Sequence, residues 1–323
     1  MISSAVCTLV PTVLFESLTK GDITIWTFYF TLVFGLGGAF TLPLVLIGFC
    51  TKERVPYSTE KAHFSFTTFV KPFRVRAFRN LLIMYLCQSV TLDIVSAVIM
   101  YYSLYVVAGL SSTTFLGIFL SVQLIMFPLI NLCVNRVSKP LIYRIGLPLA
   151  IVGAMGIAFY PVGWNVLPLY VITGLTALGF AGAQTMSWII FPDVVDIGTL
   201  GLGEQITGSF SGVMTFVRKV SSATAVFIIG YVLQFTGFIV PTDSEPKPQQ
   251  PAGAVLGIRL IIFLTFFILM GFAWFVARNF KLTTQVSMQV KNLNSKLAAG
   301  EPLSADEQAQ LCAIKTEFVG GRE

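Results

Sequence analysis

Residues 81–107 read LLIMYLCQSVTLDIVSAVIMYYSLYVV and contain a single charged side chain, that of Asp93. A helix rises about 1.5 Å per residue, so about 20 apolar residues cover the roughly 30 Å of hydrocarbon in a bilayer. The stretch is long enough to do so, and it lacks the alternation of apolar and polar positions that is typical of membrane barrel strands. It therefore predicts a helix that crosses a membrane.

Further apolar runs accompany this stretch, and the whole chain has the composition of an integral membrane protein. Hydrophobic residues make up 55% of the 323 positions and charged residues 11%, whereas about a quarter of the residues in soluble domains are charged. The other runs are Ile2–Phe15, Ile25–Cys50, Thr114–Val134, Ile145–Val162, Val166–Phe191, Phe210–Phe235 and Val255–Ala277. The sequence predicts an all-α integral membrane protein with about eight transmembrane helices.

The positions of the basic residues indicate how these helices are oriented. With residues 51–80 placed in the cytoplasm, sixteen of the 21 Lys and Arg residues fall on the cytoplasmic side, and only Lys20 and Lys247 fall outside. This is the positive-inside distribution of multi-pass proteins. It predicts a multi-pass protein of the cell membrane with a cytoplasmic C-terminus. The basic residues form no single stripe with aromatic residues between them, so the net charge of +6 does not indicate a nucleic-acid partner.

The single histidine excludes a multi-histidine metal site, and any histidine-based catalytic triad would have to use this one loop residue, for which we expect a surface role. His63 is the only histidine, and the five cysteines show no C-x-x-C spacing. Four of the cysteines lie in or beside apolar runs, where a packing role is expected. We therefore expect a protein that is not an enzyme and that uses no cofactor or metal.

Polar segments divide the chain into four parts. We expect two helices of an N-terminal bundle in residues 1–50, a cytoplasmic central loop in residues 51–80 and a complete six-helix C-terminal bundle in residues 81–280. Residues 281–323 form a polar tail that we expect in the cytoplasm. In this tail, Ser304 and Glu307 have the spacing of a helix capping box.

Two charged residues lie near the middle of predicted membrane helices. Asp93 shares a helix face with Ser89 and Ser96, and Lys219 shares one with small residues that include Thr215. Charges inside a membrane are costly and suggest a functional site, so we expect Lys219 to be the partner of Asp93. The alternative role for Asp93 is an ion pair or hydrogen bond that only holds helices together.

Arg218 and Arg259 also lie within predicted spans. Arg218 is rotated about 100° from Lys219, so both cations cannot point into one cavity, and we expect Arg218 to meet a neighbouring helix or to extend to the membrane surface. Arg259 lies about one turn into the last span, and we expect its side chain to reach the interface.

A further stripe of small residues ends in Gln184 and Trp188, which could bind a hydroxylated solute through hydrogen bonds and an aromatic face. Ordinary helix packing is the alternative for this stripe. Asp193 and Asp196 follow at the end of the same span, where we expect a cytoplasmic gate. Two solvated carboxylates that cap the helix are the alternative there.

Three motifs together resemble the glycoside-pentoside-hexuronide:cation symporters, a melibiose-carrier-like family of the major facilitator superfamily. The motifs are Phe191-Pro192-Asp193-Val194-Val195-Asp196, Ser211-Gly212-Val213-Met214-Thr215-Phe216-Val217-Arg218-Lys219 and Leu256-Gly257-Ile258-Arg259-Leu260. The resemblance implies a partial major facilitator fold whose eight helices correspond to helices five to twelve, with the first four helices lacking. It also implies that the lysine matching Lys219 lies near the solute and cation sites.

What the resemblance implies about function is symport of a sugar-type solute with Na⁺ or H⁺ by alternating access. On this hypothesis Asp93, Gln184, Trp188 and Lys219 line the solute path, and Asp93 and Lys219 couple the cation. The residues assigned to the cytoplasmic gate are Asp193, Asp196 and Arg218. Two alternatives remain open, a carrier of amphipathic lipids and a fragment that does not itself transport.

Overall fold

The apolar runs form helices in the computed structural model, which describes residues 2–52, 66–107, 109–134, 139–204, 206–240, 248–280, 282–299 and 302–319. Over these ranges every regular element is a helix. The α-helices are α1 Ile2–Lys20, α2 Ile25–Phe30, α3 Gly38–Cys50, α4 Phe66–Val70, α5 Arg76–Tyr105, α6 Ser112–Cys133, α7 Lys139–Ala158, α8 Leu167–Leu202, α9 Thr207–Phe235, α10 Ala252–Leu264, α11 Gly271–Asn279, α12 Thr284–Ala298 and α13 Ala305–Ile314. A 3₁₀ turn spans Lys71–Arg74, and π-helical segments span Thr31–Gly37, Thr265–Met270 and Lys315–Val319.

Seven helices within the described ranges are long and apolar enough to cross a membrane. Two of them are composite, because α2 and α3 join through a π segment into Ile25–Cys50, and α10 and α11 join in the same way into Ala252–Asn279. The chain is therefore a multi-pass membrane protein. Helix α1, which contains the first predicted span, is not among the seven.

Helices α5 to α11 pack into one bundle with a shared apolar core. Its closest contact joins α7 and α8, where glycines allow the two backbones to meet. A Cβ atom on Gly146 would lie 2.5 Å from the carbonyl oxygen of Gly179, and one on Gly153 would lie 2.2 Å from Oγ1 of Thr176. No larger side chain fits at these positions without movement of the helices.

The helix α8 is longer than the sequence predicts. The predicted span ends at Phe191, before Pro192, but the observed helix continues through the proline to Leu202. Proline lacks one N–H donor, and a membrane helix tolerates this where neighbouring groups compensate. The continuation carries Asp193 and Asp196 on helical backbone, so they do not cap a helix end.

Arg259 of α10 contacts the neighbouring helix α7. Its Nη2 atom donates a hydrogen bond of 2.9 Å to the carbonyl oxygen of Tyr160, just after the end of α7. The hydroxyl of Tyr102 in α5 donates a bond of 2.5 Å to the carbonyl oxygen of Ile157 nearby. Arg259 therefore helps to hold the end of α7 against α10, and the prediction that its side chain reaches the interface stays a prediction.

The N-terminal span stands apart from this core. None of the residues of α2, α3 or the π segment between them is buried, whereas α1 contacts α6. Residues 53–65 of the predicted central loop, which include His63, and residues 241–247, which include Lys247, lie outside the described residues. The division of the chain into four parts therefore stays a prediction.

The polar tail folds back against the bundle. Ser304 and Glu307 form the predicted capping box at the start of α13, which is confirmed. Lys296 donates a 2.5 Å hydrogen bond to Glu307, and this bond and that from the backbone of Ser304 lower the pKa of the Glu307 carboxyl. Ile314 and Phe318 are buried against the bundle, so the tail is docked.

Candidate functional site

A cavity of about 430 Å³ opens among α5, α6, α8 and α9. This volume lies in the range of pockets that hold small molecules. The described residues that line it combine aromatic rings, two amides, two hydroxyls and one cation. They are Tyr85, Gln88, Ser89 and Leu92 from α5, Phe127 from α6, Phe180, Gln184 and Trp188 from α8, and Arg218 from α9.

One wall of the cavity is aromatic. The rings of Tyr85 and Trp188 meet edge to face, with centroids 5.6 Å apart and an interplanar angle of 78°. The Trp188 side chain remains 54% exposed, so much of its ring surface is free for a ligand. Aromatic faces bind the C–H surfaces of flat or cyclic solutes by apolar contact.

A hydrogen-bond network holds the floor of the cavity in place. Ser187 Oγ donates to Gln88 Oε1 at 3.1 Å, and the Tyr143 hydroxyl lies 2.5 Å from the same Ser187 oxygen. All three side chains are buried. The network joins α5, α7 and α8, and it fixes the rotamer of an amide that faces the cavity. Buried polar networks of this kind are rigid when their members are satisfied.

The only charged side chain among the described residues that line the cavity is Arg218. Its Nη2 atom donates to Oδ1 of Asp93 at 3.2 Å, which forms an ion pair between α9 and α5. The two side chains are 28% and 23% exposed, so the pair is largely removed from solvent. The pair makes the net charge of the site zero.

Two buried oxygens at this site have no hydrogen-bond partner among the described residues. They are Oδ2 of Asp93 and Oε1 of Gln184. Buried acceptors are normally satisfied, and an exception calls for an explanation. Both atoms can accept a hydrogen bond from a hydroxyl group or coordinate a cation.

The structure brings together only part of the predicted site. Gln184 and Trp188 line the cavity as predicted, and Asp93 reaches it through Arg218 without lining it. Lys219 is exposed and does not line the cavity. The prediction that Lys219 pairs with Asp93 is wrong, and the roles of these residues in solute and cation binding stay predictions.

The buried face of α9 explains why Arg218, and not Lys219, pairs with Asp93. Met214, Ala225 and Ile229 are buried and lie on one helix face, and Arg218 falls on the same face at spacings of four and seven residues. Lys219 is rotated about 100° away from this face. The burial of this face, which only the structure shows, identifies Arg218 as the cation directed at α5.

Sequence reasoning also missed Tyr85 and Gln88, and it noted Ser89 only as a residue on the same helix face as Asp93. Gln88 and Ser89 are polar residues in an apolar run and lie within five positions of Asp93. Polar side chains within a membrane segment tend to face the bundle interior. That tendency would have identified Gln88, whereas nothing in the sequence separates Tyr85 from the other tyrosines of α5.

The predicted gate residues lie against the tail. Asp193 is buried, its Oδ2 atom accepts a hydrogen bond of 3.0 Å from Ser287 in α12, and Nζ of Lys291 lies 3.9 Å from its Oδ1. Asn294 donates to the backbone carbonyl of Asp196 at 2.9 Å. Asp193 is therefore not the solvated cap of the alternative interpretation.

The assignment of Arg218 to this cluster is wrong in this structure, because its guanidinium pairs with Asp93. Within the described part of the chain, no group of three or more His, Cys, Asp and Glu side chains is placed to hold a metal ion.

Known proteins similar to this chain are named as transporters. A proposed sulfoquinovose importer of Escherichia coli is 28% identical over 261 residues, which cover 79% of this chain and 54% of the importer. An uncharacterized symporter of Synechocystis is 29% identical over 195 residues, or 59% of this chain and 35% of the symporter. A proposed 2,3-dihydroxypropane-1-sulfonate exporter of Salmonella typhimurium is 29% identical over 180 residues, or 55% of this chain and 37% of the exporter.

The matched regions thus span about a third to a half of the length of these relatives. The sequence pattern of one transporter family matches most of the chain, from residue 1 to residue 284. The helical fold and the helices able to cross a membrane agree with this match. The chain belongs to the family described as MFS/sugar transport proteins.

Proposed function

We propose that the chain provides the C-terminal half of the solute pathway of a secondary active transporter, and that its cavity binds a hydroxylated, sugar-type solute. In this proposal, a gradient of Na⁺ or H⁺ drives the solute by alternating access. The cavity is the observation that carries this proposal, because an exposed indole lies there beside an amide oxygen that has no hydrogen-bond partner among the described residues. Sugars present C–H faces and hydroxyl donors to such a surface.

The named relatives support a solute of this kind. One is named for a sulfonated sugar and another for a sulfonate that carries two hydroxyl groups. The polar lining of the cavity suits hydroxylated solutes, and its guanidinium suits an acidic group. These properties support the proposal.

A carrier of amphipathic lipids is the alternative within the same fold, and it would need an apolar opening that leads to the solute site. An apolar groove of about 470 Å³ does lie between α5, α9 and the π segment Thr265–Met270. It shares no lining residue with the cavity, within the described part of the chain. This separation favours the sugar-type solute.

The test is binding and uptake by the purified chain in liposomes, with radiolabelled glycosides and an imposed Na⁺ or H⁺ gradient. We expect Trp188→Ala and Gln184→Ala each to weaken binding about 2- to 10-fold, because each removes one aromatic or hydrogen-bonding contact. Trp164→Ala is the matched control, since Trp164 is also exposed and also contacts a tyrosine edge, with centroids 6.3 Å apart.

Equal effects of the Trp188 and Trp164 substitutions would contradict the assignment of the cavity. Binding without gradient-driven uptake would support the alternative that this chain does not transport on its own. Failure of every glycoside to bind would overturn the proposed function.

A further inference from the structure

The ion pair between Arg218 and Asp93 uses only part of the hydrogen-bonding capacity of each side chain. Arg218 has five N–H donors in its guanidinium group, and the structure gives it one hydrogen bond, to Asp93. It faces the cavity, whereas Asp93 lies behind it and does not line the cavity. The second oxygen of Asp93 is buried without a partner among the described residues.

We propose that Arg218 binds the acidic group of an anionic solute and that Asp93, when released from Arg218, binds the coupling cation. The inference rests on the proposed function and narrows its substrate class to hydroxylated solutes with a carboxylate, sulfonate or similar oxyanion. Arginine suits this role because its planar fork of donors matches two oxygens of such a group. The same fork makes only one contact with Asp93, so donors remain for a solute.

Partner exchange explains why solute and cation would bind together. If a solute oxyanion draws Arg218 away, Asp93 keeps a negative charge that is largely removed from solvent. An unpaired carboxylate in such a place is strongly unfavourable, by a factor of about 100 or more in an equilibrium constant. A proton or Na⁺ at the free Oδ2 atom relieves this penalty. By linkage, each ligand therefore raises the affinity of the other.

The exchange also fixes the charge balance at this site. The resting pair is neutral, one monovalent anion enters on Arg218, and one monovalent cation enters on Asp93. The occupied site is neutral again, so the step moves no net charge. A neutral sugar would leave the ion pair intact and would gain nothing from the cation at Asp93.

Binding to the purified chain in lipid nanodiscs tests the proposal, with paired probes that differ only in the acidic group. Suitable pairs are glucuronate with glucose, galacturonate with galactose, and 6-deoxy-6-sulfoglucose with glucose, each measured with and without Na⁺ and at two pH values. We expect the acidic member of at least one pair to bind tenfold or more tightly than its neutral partner. We expect this preference only with Na⁺ or at the lower pH, which distinguishes the two cations.

Three variants and one control separate the roles of the pair. Arg218→Gln should lose the preference for the acidic member. Asp93→Asn, which carries no charge to neutralise, should keep that preference without requiring Na⁺ or low pH. Lys315→Gln removes one positive charge from the exposed part of the tail and is the matched control. The double variant Asp93→Asn/Arg218→Gln contains no unpaired charge at this site, so its lack of preference cannot be attributed to one.

The outcomes distinguish this inference from the proposed function. Equal binding of neutral and acidic members, a preference that survives Arg218→Gln, or a cation requirement that survives Asp93→Asn would each overturn the inference alone. If no member of any pair binds to the chain, the proposed function fails with it.

Discussion

At the scale of single residues, one position along α9 decides which cation faces the cavity. Arg218 and Lys219 are neighbours in sequence, yet one forms an ion pair with Asp93 while the other is exposed. The difference follows from the helical rotation of about 100° per residue. Composition and depth in the membrane are the same for both residues, so only the orientation of α9 against α5 separates them.

Stability measurements can test the pairing of Arg218 with Asp93. Arg218→Ala leaves Asp93 without its partner, and we expect a loss of about 2 kcal/mol, less than for a fully buried pair. Lys219→Ala should change stability by less than about 0.5 kcal/mol, because it removes an exposed side chain. Thermal unfolding of the purified variants in detergent measures both effects.

A double-variant cycle with Asp93→Ala supplies the control for the pair. We expect a coupling energy between Asp93 and Arg218 and none between Asp93 and Lys219. The reverse result would restore the pairing that the sequence alone predicts.

At the scale of elements, the contact between α7 and α8 depends on residues without side chains. A Cβ atom on Gly179 would lie 2.5 Å from the carbonyl oxygen of Gly146 and 2.6 Å from the backbone nitrogen of Ala150. Backbone atoms cannot move aside as a flexible side chain can. The helices must therefore separate to accept a larger residue, and α8 also carries Gln184 and Trp188.

We expect Gly179→Ala to destabilise the protein by about 1–3 kcal/mol, the usual effect of overpacking in a close-packed interior. It should also weaken solute binding, because it moves one wall of the cavity. Gly230→Ala is the control, since a Cβ atom there meets nothing within 4 Å. Detergent melting curves measure the stability of both variants, and similar melting temperatures would contradict this account of the helix contact.

At the scale of the whole molecule, the tail connects the gate residues to the rest of the chain. Ser287 and Lys291 of α12 contact the buried carboxylate of Asp193 at one end of α8. Alternating access requires contacts at that end to form in one state and break in another. We therefore expect Asp193 to affect the transport step more than solute binding.

The predicted result for Asp193→Asn is an uptake rate reduced about tenfold, with an unchanged Kd for the solute. A loss of one charge-assisted hydrogen bond is worth about 1.5 kcal/mol, which corresponds to this factor. Asp306→Asn in the exposed first turn of α13 is the control. Parallel binding and uptake assays test whether the substitution slows uptake without changing the Kd. A weakened Kd with normal uptake would place Asp193 in the solute site instead.

The orientation of the molecule in its membrane is a further prediction at this scale. Single cysteines introduced at Gln249 and Lys315, in a background without the five native cysteines, should react differently with an impermeant thiol reagent. We expect labelling of the first in intact cells and of the second only after permeabilisation, as the positive-inside distribution predicts. The opposite pattern would invert the orientation.

The sequence by itself determined that this chain is an all-helical membrane protein, and it located most of the spans to within a few residues. Long apolar runs permit no other structure in lipid, because every backbone hydrogen bond must be made within the element. The capping box at Ser304 could also be predicted from the sequence, because Ser304 and Glu307 lie within one helical turn of each other. The motifs around Asp193, Arg218 and Arg259 indicated the family.

Only the tertiary structure decided which side chains share a cavity. It placed Gln184 and Trp188 beside Tyr85 and exchanged Lys219 for Arg218 as the partner of Asp93. It also directed Arg259 to a backbone carbonyl and Asp193 to the tail. Each of these contacts joins residues that are far apart in sequence, and each depends on the rotation of one helix relative to another. A helix pattern gives the face that a residue occupies, but packing between helices determines what that face meets.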